Sequence, residues 1–483
     1  MRNRAAIFLS FALAGCAASP GYQASEVPVP ATFRESLDSV PPAVLPAPPA
    51  APAHDTAGTA AYWHELGDTT LDRLVADVSR SNLDVATAAA RVRGARAARA
   101  EARLDLVPTV TAGGSFTRQR FSTASFPIGG GGAFPDQSIW DGGFDASWEL
   151  DLFGRLRHNI QAQGAAVEAA TQDMRDVRVS LTAEVARAYF ELRGAQEQLA
   201  VARRNAENQR RTLDLTRQRL DAGRGTAFDT ERAQAQLSFT LASIPPLEAQ
   251  VSEAQYRIGV LVGRPPAAVA TELDDAAPLP ALPPVVAVAT PDSIVRRRPD
   301  VAAAERQLAA EKALVGAAKA DYLPRFFVGG SAGFTATSFD SLGEHGTFRY
   351  AVGPSFSWPA LNLGRIKSRV DAANARRDEA EAQYSQTVLR ALQDVETSVA
   401  RFRSARVRVA QLQDAATASE KAAELARLRF TGGVADFLQV LDAERTQLDA
   451  EDRLAQGRTD AATAYAALYK ALGGELPPGG AAD

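Results

Sequence analysis

Several stretches of this chain alternate apolar and polar residues with a period of two. From Trp140 one face reads Trp140, Gly142, Phe144, Ala146, Trp148 and Leu150, and the other Asp141, Gly143, Asp145, Ser147, Glu149 and Asp151. Further on, Phe348, Tyr350, Val352, Pro354, Phe356 and Trp358 oppose Arg349, Ala351, Gly353, Ser355 and Ser357. Weaker alternation runs through 109–118 and 325–336. Successive side chains of a strand point to opposite faces, so each stretch predicts a β-strand with one oily and one wet side. Segments of about ten residues that end in aromatics, polar on one face, fit a transmembrane barrel with a wet lumen. Four strands cannot close such a barrel, for which about eight is the minimum. The barrel must be shared among protomers.

The period changes between these strands. Stretches 155–222 and 365–431 are each about 68 residues, on the order of 100 Å as helix. Each is rich in Ala, Gln and Arg with a narrow apolar stripe, such as Val177, Leu181, Val185, Ala188, Leu192 and Leu199. That is coiled-coil patterning rather than a buried core helix. Each long helix breaks at a glycine turn and is followed by a returning helix of roughly 37 to 40 residues. A shorter helix opens each copy, at about 71–107 and about 298–323. End to end with the returning helix it matches the long one, which predicts an α-barrel.

The chain carries this plan twice. Leu83-Asp84-Val85, Val107-Pro108 and Gly113-Gly114-Ser115 map onto Pro299-Asp300-Val301, Leu323-Pro324 and Gly329-Gly330-Ser331, always 216 positions on. Trp148, Gly154-Arg155, Arg219 and Gly223 map onto Trp358, Gly364-Arg365, Arg429 and Gly433 at 210 positions. Two offsets held over many positions mark a tandem duplication. The expected segments are a signal peptide 1–15, an anchor and Pro-rich tether 16–60, repeats at 61–280 and 281–473, and a tail 474–483.

The start of the chain adds a membrane address. Arg2 and Arg4 precede an apolar run from Ala5 to Ala14, too short to span a bilayer and typical of a secretory signal. Leu13-Ala14-Gly15-Cys16 ends it in the manner of a bacterial lipobox, with the chain's single cysteine as the acylated residue. Several acyl chains anchor stably. Cys16→Ser is expected to abolish palmitate incorporation. Ala17 follows, and the absence of an Asp there points to the outer membrane. Residues 27 to 53 carry eight prolines and read as an extended tether.

Composition mainly excludes. The net charge of -4 comes with no basic block, so no nucleic-acid partner is expected. One cysteine allows neither an intrachain disulfide nor a thiolate cluster. His54, His64, His158 and His345 are scattered, and there is no phosphate loop or nucleophile elbow. Enzyme chemistry has no evident seat, and no metal or cofactor is expected.

Tyr62-Trp63-x-x-Leu66-x-Asp68-x-x-Leu71, Asn82-x-Asp84-Val85, Arg298-Pro299-Asp300-Val301 and Gly316-x-Ala318-x-Ala320-x-x-Leu323-Pro324 resemble runs of the outer-membrane factor (TolC-like) family. More narrowly they resemble its lipoprotein branch in RND efflux systems, the NodT type. The resemblance covers residues 60 to 473. It implies a mixed fold, an all-α barrel plus a transmembrane β-barrel, closing as a homotrimer. It implies a passive exit duct in the outer membrane, docking a periplasmic membrane-fusion adaptor and through it an inner-membrane RND transporter. Exit ducts of type I protein secretion share the family, and a poreless periplasmic coiled-coil scaffold is the reading from another class. The lipobox disfavours the former and the aromatic-flanked strands the latter.

Carried over residue by residue, the resemblance places adaptor-docking tips at Arg219, Gly223, Arg224, Gly225 and Thr226, and at Arg429, Gly432, Gly433 and Val434. It places the periplasmic aperture at Asp229 and Asp442. Gln439, Ala435 and Phe430 depart from the family's gate pattern. On the strands, Asp141, Asp145, Glu149 and Asp151 are expected to line the pore and to favour cations.

Overall fold

The computed structural model describes residues 27–35, 59–121, 135–283 and 290–474. The signal peptide, Cys16, most of the tether and the tail from 475 lie outside the described residues. In chain order the elements are α1 Thr59–His64, α2 Thr69–Ser81, α3 Leu83–Leu104, β1 Thr109–Gln119, β2 Gln137–Leu150, α4 Arg155–Asp221, α5 Ala227–Leu261 and α6 Pro266–Glu272. There follow α7 Pro291–Arg297, α8 Pro299–Ala320, β3 Arg325–Ala336, β4 Phe348–Ser357, α9 Leu363–Thr431 and α10 Phe437–Ala471. The long helices α4 and α9 run 67 and 69 residues, and the returning helices α5 and α10 run 35 each.

One expectation is corrected. The opening helix of the first repeat is not continuous over 71–107: it breaks at Asn82 and ends at Leu104. Asn82 adopts an extended backbone, ψ 135°, and its Oδ1 accepts the amides of Asp84 and Val85, so it closes α2 and caps α3. In the second repeat Arg298 holds the same place between α7 and α8, with ψ 122°.

The described chain divides into two compact units that cut across the sequence repeats. The first contains Arg91–Ala170 and Ala303–Tyr384. Its centre is an antiparallel sheet in the order β1-β2-β3-β4, leaving β1 and β4 as edges. Register decides the faces. Ser115, Asp141 and Thr335 stand opposite one another, as do Thr111, Asp145 and Ser331, so the odd-numbered residues form one face that is polar apart from Ile139, Phe327 and small residues. Phe116 with Trp140, Phe144 with Ala332 and Tyr350, and Phe326 with Phe356 share the other. Val110, Phe116, Phe144, Phe348, Tyr350, Val352 and Phe356 on that face are exposed. At one end of the sheet the Trp148 indole donates to the Leu106 carbonyl, 2.9 Å, and the Trp358 indole to the Tyr322 carbonyl, 3.1 Å. These are duplicate positions making duplicate bonds. Gly316 lies against the His158 ring, where a Cβ would stand 2.9 Å away, which accounts for the glycine of the second-repeat run.

The second unit takes the described parts of Val27–Ala90, Thr171–Ala302 and the chain from Ser385. Its core gathers Tyr62, Trp63, Phe190, Phe402, Tyr465 and Tyr469, all essentially inaccessible. Tyr62 stacks on Tyr465 with centroids 4.7 Å apart, and Trp63 lies 4.8 Å from Tyr469. Rings this close add to the area they bury, each pair by about 0.5–1.5 kcal/mol. Asp68 caps α2 through the Thr70 and Leu71 amides and accepts the Tyr189 hydroxyl at 2.6 Å. Burial and that carboxylate push the Tyr189 phenol up to about 12. The Tyr62-to-Leu71 run is thus a folding motif: two core aromatics, two core leucines and a cap. Segment 27–35 is bound as well. Glu396 accepts the Arg34 and Glu35 amides at 2.8 and 3.0 Å, and Glu35 pairs with Arg403 at 2.7 Å.

Candidate functional site

Three places carry the functional candidates: the polar face of the sheet, the two helical turns, and a groove along α10.

On the sheet, Asp141, Asp145 and Glu149 occupy the polar face as expected, and Asp151 lies just past the end of β2. Three of the four carboxylates have cationic partners. Asp141 takes a bidentate contact from Arg349, at 2.8 and 2.6 Å, and the Thr335 hydroxyl at 2.6 Å. Glu149 is held bidentately by Arg155, 2.9 and 2.7 Å. Asp151 accepts the Leu156 and Arg157 amides and the Arg157 guanidinium, so it anchors the start of α4. Asp145 alone of the four makes no salt bridge among the described residues, although it acts on Arg349 through space. Composition by face misses this: the Asp141 pair depends on which strands are neighbours, and the other two on Arg155 and Arg157, which lie beyond the strand at the start of α4.

The turns are duplicates. Gly223, φ +69°, and Gly433, φ +73°, take the left-handed conformation that glycine adopts without strain. Around them Arg224 N bonds Arg219 O and Gly223 N bonds Leu220 O, and Val434 N bonds Arg429 O and Gly433 N bonds Phe430 O. Both are Schellman terminations. Each returning helix then opens on a cap: Thr226 accepts the Asp229 amide at 3.2 Å, and Asp436 accepts that of Gln439 at 3.0 Å. The Asp229 carboxylate also takes the Thr226 hydroxyl, 2.7 Å, so it is partly committed to the cap. Asp436 escaped the sequence reading. Its signal was the 210-residue offset from Thr226.

The two turns are also joined. The Arg219 guanidinium donates to the Phe430 and Thr431 carbonyls, 2.6 and 3.3 Å, and lies over the Phe430 ring, 4.1 Å from its centroid. The sequence reading placed Arg219 at a tip and gave it no partner. Phe430 is buried against Phe437, beside Leu213, Leu237, Val440 and Leu441. Around this cluster the surface is apolar: Phe228, Leu428, Val434 and Leu438 are exposed.

Asp442 is exposed on α10, where its backbone carbonyl accepts the Thr446 hydroxyl and its carboxylate has no hydrogen-bond or ionic partner among the described residues. It lines a groove of about 840 Å³ with Gln236 and Ser243 of α5, Gln198 of α4, and Arg445, Asp449 and Asp452 of its own helix. No geometry here joins Asp442 to Asp229. Two residues further on, the Glu444 carboxylate is buried and accepts the Thr212 hydroxyl at 2.8 Å and the Arg427 guanidinium at 3.0 Å. Burial pushes its carboxyl up, and those two partners hold it back.

No described helix is long and apolar enough to cross a membrane, and no described group of His, Cys, Asp or Glu could hold a metal ion. A two-faced sheet carried with long helical hairpins defines the class, an outer-membrane channel subunit. The chain belongs to the outer membrane efflux protein family, which matches residues 74–264 and 290–474. It is 30% identical over 443 residues to the pyoverdine export outer membrane protein OpmQ of Pseudomonas putida, spanning 90% of this chain and 93% of that protein. It is 27% identical to nodulation protein T of Rhizobium leguminosarum bv. trifolii, over 98% and 97% of the two chains. Among solved structures it is similar to the outer-membrane channel OprN, with a TM-score of 0.84 at 36% identity, covering 95% of this chain and 99% of that one. The protein is an efflux component of the cell outer membrane.

Proposed function

We propose that three copies of this chain form the exit duct of a tripartite RND-type efflux pump, conducting small molecules passively and catalysing nothing. The observation that carries this is the sheet. Its even-numbered face exposes a row of aromatic and branched residues that water would penalise, its odd-numbered face is polar, and both edge strands have a side without a partner. Pairing β4 of one copy with β1 of the next satisfies both edges. Three copies then give twelve strands, lipid outside and water within. The helical hairpins are periplasmic.

The turn residues Arg219 to Thr226 and Arg429 to Val434 form the docking tips for a membrane-fusion adaptor. The exposed Phe228, Leu428, Val434 and Leu438 add an apolar surface of the kind that marks a protein interface. Asp442, with Asp229 contributing less because of its cap, lines the periplasmic aperture. Acyl chains on Cys16 add a second attachment to the membrane. Purified protein should have three times the monomer mass in detergent and insert into planar bilayers as a channel of small conductance. A monomer without conductance contradicts the reading.

A further inference from the structure

On the polar face, one level of the sheet is nearly bare. Gly113, Gly143 and Gly333 stand opposite one another on β1, β2 and β3, and the fourth position of that level, on β4, is Arg349. The centre of this row is tight as well as bare: a Cβ on Gly143 would stand 2.6 Å from the Ala332 carbonyl oxygen, and one on Gly333 2.4 Å from that of Gly142. With no side chains in its way, the Arg349 guanidinium lies across β3 and closes on Asp141 two strands away. Thr335 on the strand between completes the contact, accepting from Arg349 at 2.9 Å and donating to Asp141 at 2.6 Å. The arrangement has no counterpart in the first repeat, where Arg349 maps onto Ile139.

We propose that the Arg349–Asp141 pair cancels its own two charges on this face, so that Asp145 sets the charge selectivity of the barrel segment of the duct for as long as both partners are present. The inference rests on the reading of this face as the lumen. Arg155 neutralises Glu149, and Asp321 neutralises Arg325, the other cation on this face. That leaves Asp145 as the carboxylate without a salt bridge among the described residues, near enough to Arg349 to feel its charge, together with whichever of Asp141 and Arg349 loses its partner. Wild type is then mildly cation-preferring. Removing Arg349 uncovers a second carboxylate in each copy, and removing Asp141 uncovers a guanidinium that offsets Asp145. Fixed charges of one sign in a narrow aqueous pore decide which ion enters.

The test is the reversal potential in a potassium chloride gradient across a planar bilayer, in an Asp229→Ala/Asp442→Ala background that removes the candidate aperture carboxylates. Arg349→Gln is expected to raise the cation-to-anion permeability ratio about threefold, and Asp141→Asn to lower it by about the same factor. The double variant Asp141→Asn/Arg349→Gln should return to the ratio of its parent. That recovery separates a charge effect from misfolding, because the double variant loses every bond that each single variant loses. Channels with the same ratio in all four proteins overturn the pair's role and leave the duct intact. If none of the proteins, parent included, forms channels, the duct reading falls and the inference with it.

Discussion

The two repeats share a backbone plan and differ in the side chains that join it up. At the junction of opening and returning helices, Asn82 donates its amide to the Leu261 carbonyl, 2.8 Å, with Leu261 the last residue of α5. Its counterpart 216 positions on, Arg298, donates at 3.2 Å to the Ala471 carbonyl, the last residue of α10. The carbonyls correspond, but the tie does not. Arg298 also grips Asp300 bidentately, at 3.0 and 2.8 Å, and reaches Asp394 on α9 at 3.1 Å. Along the hairpins, Arg217 meets Gln234 on an exposed surface at 3.0 Å, while the equivalent Arg427 meets the buried Glu444. Duplication thus kept the backbone groups at the helix ends, while at these positions the second copy carries charged side chains in place of Asn82 and Gln234. The teaching is that termination is demanded by backbone chemistry, which both copies share, whereas charge is a property of each copy's neighbours.

The largest expected effect breaks the junction. Arg298→Ala removes a buried guanidinium that serves two carboxylates and a helix end, and should cost about 2–3 kcal/mol, moderated because Asp300 and Asp394 reach solvent. Asn82→Ala loses one cap and one carbonyl bond, about 1 kcal/mol. Thermal unfolding of the detergent-solubilised proteins ranks them. Equal losses would mean that the extra ties of the second copy are idle.

Next is the aperture. Three copies of Asp442 with uncommitted carboxylates concentrate negative charge, whereas Asp229 is tied to Thr226. Block by hexamminecobalt from the periplasmic side should weaken about tenfold in Asp442→Ala and about twofold or less in Asp229→Ala. A larger loss at Asp229 would reverse the assignment.

The smallest effect concerns Glu444. Its folded carboxyl is raised above the ordinary 4.5, so the protonated form is favoured by the fold. The sign follows: its contribution is fully present below 4.5 and is lost as pH rises through the higher folded value. Glu444→Gln copies the Arg–Gln pair of the first repeat. It should gain about 1 kcal/mol or less relative to wild type as pH climbs through that window. A difference between the two that is flat in pH would remove the titration of Glu444 from the account.

Much of this was legible in the sequence. The alternation at 140–150 and 348–358 gave each strand its two faces, and the offsets of 216 and 210 located the glycine turns. Most of what stayed hidden shares one physical cause. Arg349 with Asp141, Arg219 with the Phe430 carbonyl and Arg298 with Asp394 join residues 208, 211 and 96 positions apart. Periodicity reports which way a side chain points, not which strand or helix lies beside it. The break at Asn82 has a different, local cause: its Oδ1 accepts the Asp84 and Val85 amides and caps α3, with the Leu261 carbonyl accepting the side-chain amide, whereas apolar periodicity alone runs across the position.

The central claim is that neighbouring residues of β4 face different solvents. Ala351 lies on the polar face and Val352 on the apolar one, both exposed in the single chain. In a Cys16→Ser background, Ala351→Cys and Val352→Cys each carry a single thiol. With trimers reconstituted in lipid, a charged, membrane-impermeant thiol reagent should modify Ala351→Cys and reduce its conductance. It should leave Val352→Cys unmodified until detergent is added. Modification of Val352→Cys at the rate of Ala351→Cys in intact bilayers would contradict the account.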